Sequence, residues 1–211
     1  MHRCALFCAL AAVLAGPALA DEKCRGEVAA AFNKQRTFRA FAMTTELKTP
    51  SGIVEIKTEY QPPDRMRQTV TAPGQEPLET VLYGQRAYSR QGTKWEELMP
   101  AVAQTIIAQV RAATIDPPKE VGNFDCMGTT TLDGKEYLAY RSVEKQADAG
   151  AATGAPQLHR MIYLDPKTAL PALNIVAGDG PNAETVFKAT YDYPEKIEIE
   201  DHPDAPLVKM R

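Results

Sequence analysis

The chain has 211 residues, 44% of them hydrophobic, with 24 Lys and Arg against 27 Asp and Glu and a net charge of −3. Charges of both signs are mixed along it, and no basic block is present that would track a nucleic-acid backbone or an anionic membrane surface. No P-loop, dinucleotide fingerprint, H-E-x-x-H or G-x-S-x-G occurs, so nucleotide, zinc-hydrolase and serine-hydrolase chemistry lack their usual carriers.

Residues 1–20 read as a cleavable secretory signal. His2 and Arg3 give a positive end, an apolar run follows from Ala5 to Leu14, and Gly16-Pro17 breaks it. Ala18-Leu19-Ala20 then supplies an A-x-A site ahead of Asp21. The run is shorter than the roughly 20 apolar residues a membrane-spanning helix needs. The expected product is one domain over residues 21–211, periplasmic, with no integral membrane segment after cleavage. Cys24 follows Asp21-Glu22-Lys23 rather than a small-residue lipobox, so no lipid anchor is expected and the processed chain should be soluble. Cys4 and Cys8 leave with the signal. The two remaining cysteines, Cys24 and Cys126, are expected to pair as a disulfide in an oxidising compartment.

Residues 21–36 carry Val28, Ala29 and Phe32 at helical spacing. The period then changes to two. Residues 38–48 alternate with Phe41, Met43 and Leu47 on one parity. Past Pro50-Ser51-Gly52, residues 53–61 set Val54, Ile56, Thr58 and Tyr60 against Glu55, Lys57 and Glu59. This is a hairpin with one solvated face, the antiparallel signature. Pro62-Pro63-Asp64 turns the chain into a third strand, 65–71, with Met66, Gln68 and Val70 on one parity. Short strands follow at 79–83, 86–90 and 93–97, joined through Gly84-Gln85 and Gln91-Gly92. A helix over 99–113 comes next, with Pro100 in its first turn and an apolar stripe that includes Val102, Ala103, Ile106, Ile107 and Val110. Asp116-Pro117-Pro118 stops it. The second half reads as strands at 120–132, 135–145, 158–165, 170–177, 184–193 and 197–200. Asp133-Gly134 is a tight-turn signal, and 147–156 is a Gly/Ala-rich loop.

This order predicts a mainly β (α+β) chain. It is a single large curved antiparallel sheet of about eleven strands, a half-barrel, with an N-terminal and a mid-chain helix covering its concave face.

Several stretches resemble the LolA-like superfamily of bacterial lipoprotein and lipid carriers, which includes LolA, LolB, RseB-type sensor domains and LppX-type carriers. Pro63-Asp64-Arg65-Met66-Arg67 is similar to the family's strand entry. Val81-Leu82-Tyr83-Gly84-Gln85-Arg86-Ala87-Tyr88 is similar to its Gly-turn hairpin. The run from Met161 through Asp165-Pro166-Lys167-Thr168 to Pro171 is similar to its D-P-x-T-x-L-P strand-turn-strand. The likeness spans roughly residues 38–200. Pro62 stands where LolA proper carries a basic residue, so the resemblance is to the superfamily and not to LolA itself.

The resemblance implies a monomeric, non-enzymatic carrier that holds lipid or lipoprotein acyl chains in an apolar half-barrel cavity, without metal or cofactor. The expected lining is Phe41, Met43, Val54, Ile56, Met66, Val70 and Tyr83 from the sheet and Val102, Ile106, Ile107 and Val110 from the helix. The alternative is an envelope sensor or protein-interaction module of the same fold, with envelope proteins as partners. A secreted hydrolase built on His159 is the third reading.

Overall fold

The computed structural model describes residues 17–117, 122–143, 157–179 and 183–208. Most of the expected signal, the 147–156 loop and the Gly180-Pro181 turn lie outside these residues. The elements run α1 (Pro17–Gln35), β1 (Phe41–Thr49), β2 (Gly52–Gln61), β3 (Arg65–Thr71), β4 (Leu78–Tyr83), β5 (Arg86–Gln91), β6 (Glu96–Glu97), α2 (Pro100–Thr114), β7 (Asp125–Leu132), β8 (Lys135–Val143), β9 (His159–Leu164), β10 (Pro171–Ala177) and β11 (Thr185–Asp192). The helix α1 begins upstream of Asp21 and runs through the expected cleavage point.

All eleven strands join one antiparallel sheet in the order β6-β5-β4-β3-β2-β1-β11-β10-β9-β8-β7. The sheet is open. Its last strand in sequence, β11, pairs with its first, β1, with Met43 opposite Tyr191 and Leu47 opposite Phe187. That pairing joins two meanders separated by α2 into one surface.

Both helices lie on one face of the sheet. Cys24, Val28 and Ala31 of α1 pack with Tyr140, Ile162 and Leu164, so this helix covers the β8–β9 half. Ala103 and Val110 of α2 pack with Phe41, Tyr60, Met66, Leu82 and Ala87 on the other half. The opposite face is covered over β1, β4 and β5 by the C-terminal segment. Residues 197–200, expected as a strand, join no strand among the described residues; Ile197 and Ile199 lie with Ala40, Ala42, Val81 and Tyr88 instead. Their alternation with Glu198 and Glu200 is satisfied by lying flat on a sheet face, which needs no ladder. The segment reaches the β6 edge, where Glu97 N–H donates to Pro206 O and Val208 N–H to Glu97 O, both at 2.8 Å. The Tyr88 hydroxyl donates to Asp201 at 2.7 Å, and Arg86 grips Glu97 through two nitrogens at 3.0 and 2.7 Å.

The Asp165-Pro166-Lys167-Thr168 turn shows why that motif suits this place. The Asp165 carboxylate accepts the N–H groups of Lys167 and Thr168, both at 2.9 Å, and the Thr168 hydroxyl at 3.1 Å. The Thr168 N–H, with the other two donors, holds the acid below the usual carboxylate range. Asp165→Ala is expected to cost about 1–2 kcal/mol, the loss of a side chain that satisfies several turn donors. Because the folded acid titrates below the unfolded one, this contribution is present above the unfolded pKa. It is lost as pH falls through the folded pKa. Urea unfolding at neutral and acidic pH should therefore show the wild-type advantage shrinking toward acid. An advantage that grows toward acid contradicts the turn geometry.

Candidate functional site

Strand register sorts the helix-covered face into rows. The first runs Phe41, Tyr60, Met66, Leu82 and Ala87 across β1 to β5. The next is Tyr191, Met43, Thr58, Gln68, Thr80 and Ser89. The third is Ala189, Thr45, Ile56, Val70 and Leu78, and the fourth is Phe187, Leu47 and Val54.

The first row is closed. Phe41 is 1% exposed and stacks on Tyr60 with ring centroids 4.7 Å apart. It is roofed by α2 through Ala103 and Val110, with Ile106, Ile107 and Leu98 beside them. The third row is buried at Ala189 and Thr45 and open from Ile56 to Leu78, and the fourth row is open. Val54, Ile56, Val70, Leu47 and Phe187 are half-buried, and Leu78 is 41% exposed. No residue of α2 belongs to a buried cluster with them. The result is an apolar lane on the sheet floor beside a seated helix. Between the closed and open rows lies a polar band, in which Gln68 Nε2 donates to Thr58 Oγ1 at 3.2 Å and Thr58 is fully buried.

The two helices meet at Arg36. One of its nitrogens donates to Phe32 O at the end of α1 and another to Ala112 O near the end of α2, at 2.8 and 3.4 Å. Burial lowers the pKa of this guanidinium, which faces Asp116. Tyrosines line the same side. Burial, with Tyr191 nearby, pushes the Tyr60 hydroxyl up to about 12, and burial also raises Tyr191 and Tyr193. These phenols stay neutral at physiological pH and bring no charge to the apolar floor.

The structure divides the expected lining residues. Phe41, Met66 and Val110 are consumed in packing under α2, with Ile106 and Ile107 at the margin of that cluster. Met43, Val54, Ile56 and Val70 lie on the uncovered rows or the polar band, half-buried. Val102 is 40% exposed on α2. Tyr83 is a correction. It pairs with Arg65 and Arg86 on the parity opposite Leu82, and the Arg65 guanidinium sits 4.2 Å from its ring centroid on the tail-covered face. The consecutive apolar run Val81-Leu82-Tyr83 hides the parity that alternation would have revealed. Leu47, Leu78 and Phe187 are lane residues that the expected set omitted. Leu47 shares the parity of Phe41 and Met43, so its place was readable, whereas Phe187 arrives only through the β11–β1 pairing.

Clefts also open elsewhere among the described residues. One of about 530 Å³ lies between α1 and the β7–β8 edge, lined by residues that include Ala30, Ala31, Leu138 and Leu164. One of about 570 Å³ runs along a flank of α2 that includes Ile107 and Arg111. The third, about 430 Å³, follows the seam between Trp95 and the C-terminal segment, where His202 stacks on Trp95 at 3.9 Å. His159 lies off the helix-covered face, its Nδ1 3.2 Å from Asp179, which Arg141 also holds at 2.7 Å. The Cys24–Cys126 disulfide is present and ties α1 to β7 across 102 residues of sequence.

No protein-family model and no curated protein sequence matches the chain. Solved structures do. Lipoprotein LppX of Mycobacterium tuberculosis superposes with a TM-score of 0.56 at 10% identity, covering 85% of this chain and 100% of that one. LprF from Mycobacterium bovis gives 0.51 at 12%, over 85% of this chain and 97% of that one. The chain shares the fold of these two proteins.

Proposed function

We propose that the protein is a periplasmic carrier that holds the acyl chains of a lipid or lipoprotein against the open lane of Leu47, Val54, Ile56, Val70, Leu78 and Phe187. The observation that carries this reading is the lane itself. A folded sheet with two helices to spend leaves a contiguous apolar strip half-exposed beside one of them. Each acyl CH₂ buried there would contribute about 0.8 kcal/mol. The leader of residues 1–20 and the disulfide fit an oxidising compartment outside the cytoplasm. Among the described residues no helix is long and apolar enough to cross a membrane. Movement of α2 would expose Phe41 and Met66 as further apolar floor on the far side of the polar band.

The test is uptake of a fluorescent fatty acid by single-site variants. Ile56→Asp and Val70→Asp place a charge on half-buried floor positions. Each is expected to weaken binding roughly tenfold or more, because an unpaired charge beside an acyl chain must be desolvated. Tyr83→Ala, on the other face, is expected to bind as wild type does. Unchanged binding in both Asp variants would remove the lane from the account.

A further inference from the structure

One end of the open lane meets a charge. The lane steps across the sheet strand by strand: Leu78 on β4, Val70 on β3, Ile56 and Val54 on β2, Leu47 on β1 and Phe187 on β11. Continued across β10, β9 and β8, the fourth row adds Val176, Arg160 and Ser142, and the third adds Asn174, Ile162 and Tyr140. Arg160 is the one charged residue in either row among the described residues.

The Arg160 side chain leans toward the lane. Its Nη1 donates to Asn174 Oδ1 at 3.5 Å, so the guanidinium sits over β10, one strand from Phe187. Asn174 is buried and also hydrogen-bonds the Tyr191 hydroxyl, while the Tyr191 ring meets Phe32 of α1 edge-on at 6.1 Å. Burial pushes the Tyr191 hydroxyl up, and the Asn174 bond and the Arg160 charge oppose that push. The positive charge is therefore felt on the floor side of α1. Val176, on the same strand as Asn174, is buried and keeps the row apolar up to the guanidinium. Arg160 has a further contact besides Asn174. A guanidinium carries five N–H donors, and a bidentate anion takes two of them. At about 4.8 Å per strand, the path from Leu78 on β4 to the guanidinium over β10 is about 24 Å long.

We propose that Arg160, oriented by Asn174 and with Tyr191 beside it, anchors the head of the cargo, and that this head is an anion, a carboxylate or a phosphate. The proposal rests on the lane being the acyl site and adds the class of lipid that fills it. The tail would run from β11 toward β4 and the head would lie over β10. A half-buried cation beside an apolar floor selects an anion with a tail, since the charge-assisted bond and the burial of CH₂ groups are satisfied by one molecule. Acyl chains whose head carries no charge would use the lane without the anchor.

The test is displacement of a neutral apolar probe, N-phenyl-1-naphthylamine, from the purified protein. The competitors share one oleoyl-length chain and differ in the head: oleate, oleoyl lysophosphatidic acid and oleyl alcohol, each below its micelle concentration. At least one anion is expected to displace the probe at roughly tenfold lower concentration than the alcohol. Arg160→Gln should remove that advantage and leave the probe and the alcohol binding as in wild type, which also shows the variant to be folded. Arg160→Lys, which keeps the charge and loses the fork, should retain part of it. Whichever anion binds tighter assigns the head as carboxylate or phosphate, and either ordering fits. The comparison of heads on the wild-type protein needs no variant, so it decides even where Arg160→Gln does not fold. If the alcohol competes as well as both anions, or Arg160→Gln keeps their advantage, the anchor is overturned and the lane stands. If the probe does not bind and no competitor binds, the lane fails and the anchor with it.

Discussion

Phe41→Ala is expected to lower stability by about 3–5 kcal/mol, the range for deleting a buried aromatic side chain from a packed core. Phe41 is 1% exposed, stacks on Tyr60 and shares its cluster with Met66, Leu82, Ala103 and Val110. It therefore holds β1, β2 and α2 together at one point. Against a total stability of about 5–15 kcal/mol this is a large fraction. At roughly 2–4 °C per kcal/mol for a domain of this size, Tm should fall by about 6–20 °C. Urea unfolding followed by Trp95 fluorescence and by far-UV circular dichroism measures it. A loss under about 1.5 kcal/mol would mean that α2 is not seated on the sheet floor. The same experiment separates packing from binding. Phe41 is structural while α2 is seated, whereas Ile56 and Val70 are half-exposed, so their Asp variants should change cargo uptake more than stability.

Reduction of the Cys24–Cys126 disulfide is the second large effect. The bond closes a loop of 102 residues, for which the chain-entropy relation gives about 4–5 kcal/mol, with about 2–5 kcal/mol typical for loss of a native disulfide. Cys24 is 2% exposed and sits in the cluster of Val28, Ala31, Phe124, Tyr140 and Ile162. Opening the bond therefore loosens α1 from β7 as well as enlarging the unfolded ensemble. Tm is expected to fall by roughly 10 °C in reductant and in Cys24→Ser/Cys126→Ser, by the same conversion. A Tm indifferent to reductant, or two titratable thiols in the native protein under oxidising conditions, would contradict the pairing.

Strand existence was legible where alternation was clean. Val54 to Tyr60 against Glu55 to Glu59 identified β2 and its buried face directly. Turn chemistry located the hairpins: Asp133 and Gly134 take φ of 50° and 77°, and Gly84 takes 62°, as tight turns at those places require. The pairing of Cys24 with Cys126 followed from compartment and count. Parity failed at Tyr83, where three apolar residues in succession carry no period. The run 93–97 shortened to Glu96–Glu97, and 197–200 became a surface strap, because a short alternating segment can meet a sheet face as readily as an edge. The lane was half legible. Its β1–β3 residues share one parity along local hairpins, but Phe187 joins it only through a pairing between the first and last strands, which no local pattern specifies. Which expected lining residues would be roofed and which left open depended on where α2 docks. A helix stripe gives the face that is buried, not the rows of the sheet it covers.

An acyl chain held in the open lane should travel with the protein through purification. The most direct measurement is native mass spectrometry, followed by lipid extraction, of the full chain expressed in a bacterium and purified without detergent. The expected result is a near-stoichiometric mass addition that resolves on extraction into phospholipid, fatty acid or acylated peptide, and that is lost in Ile56→Asp. A bare polypeptide mass, together with no uptake of a fluorescent fatty acid by the same preparation, would contradict it.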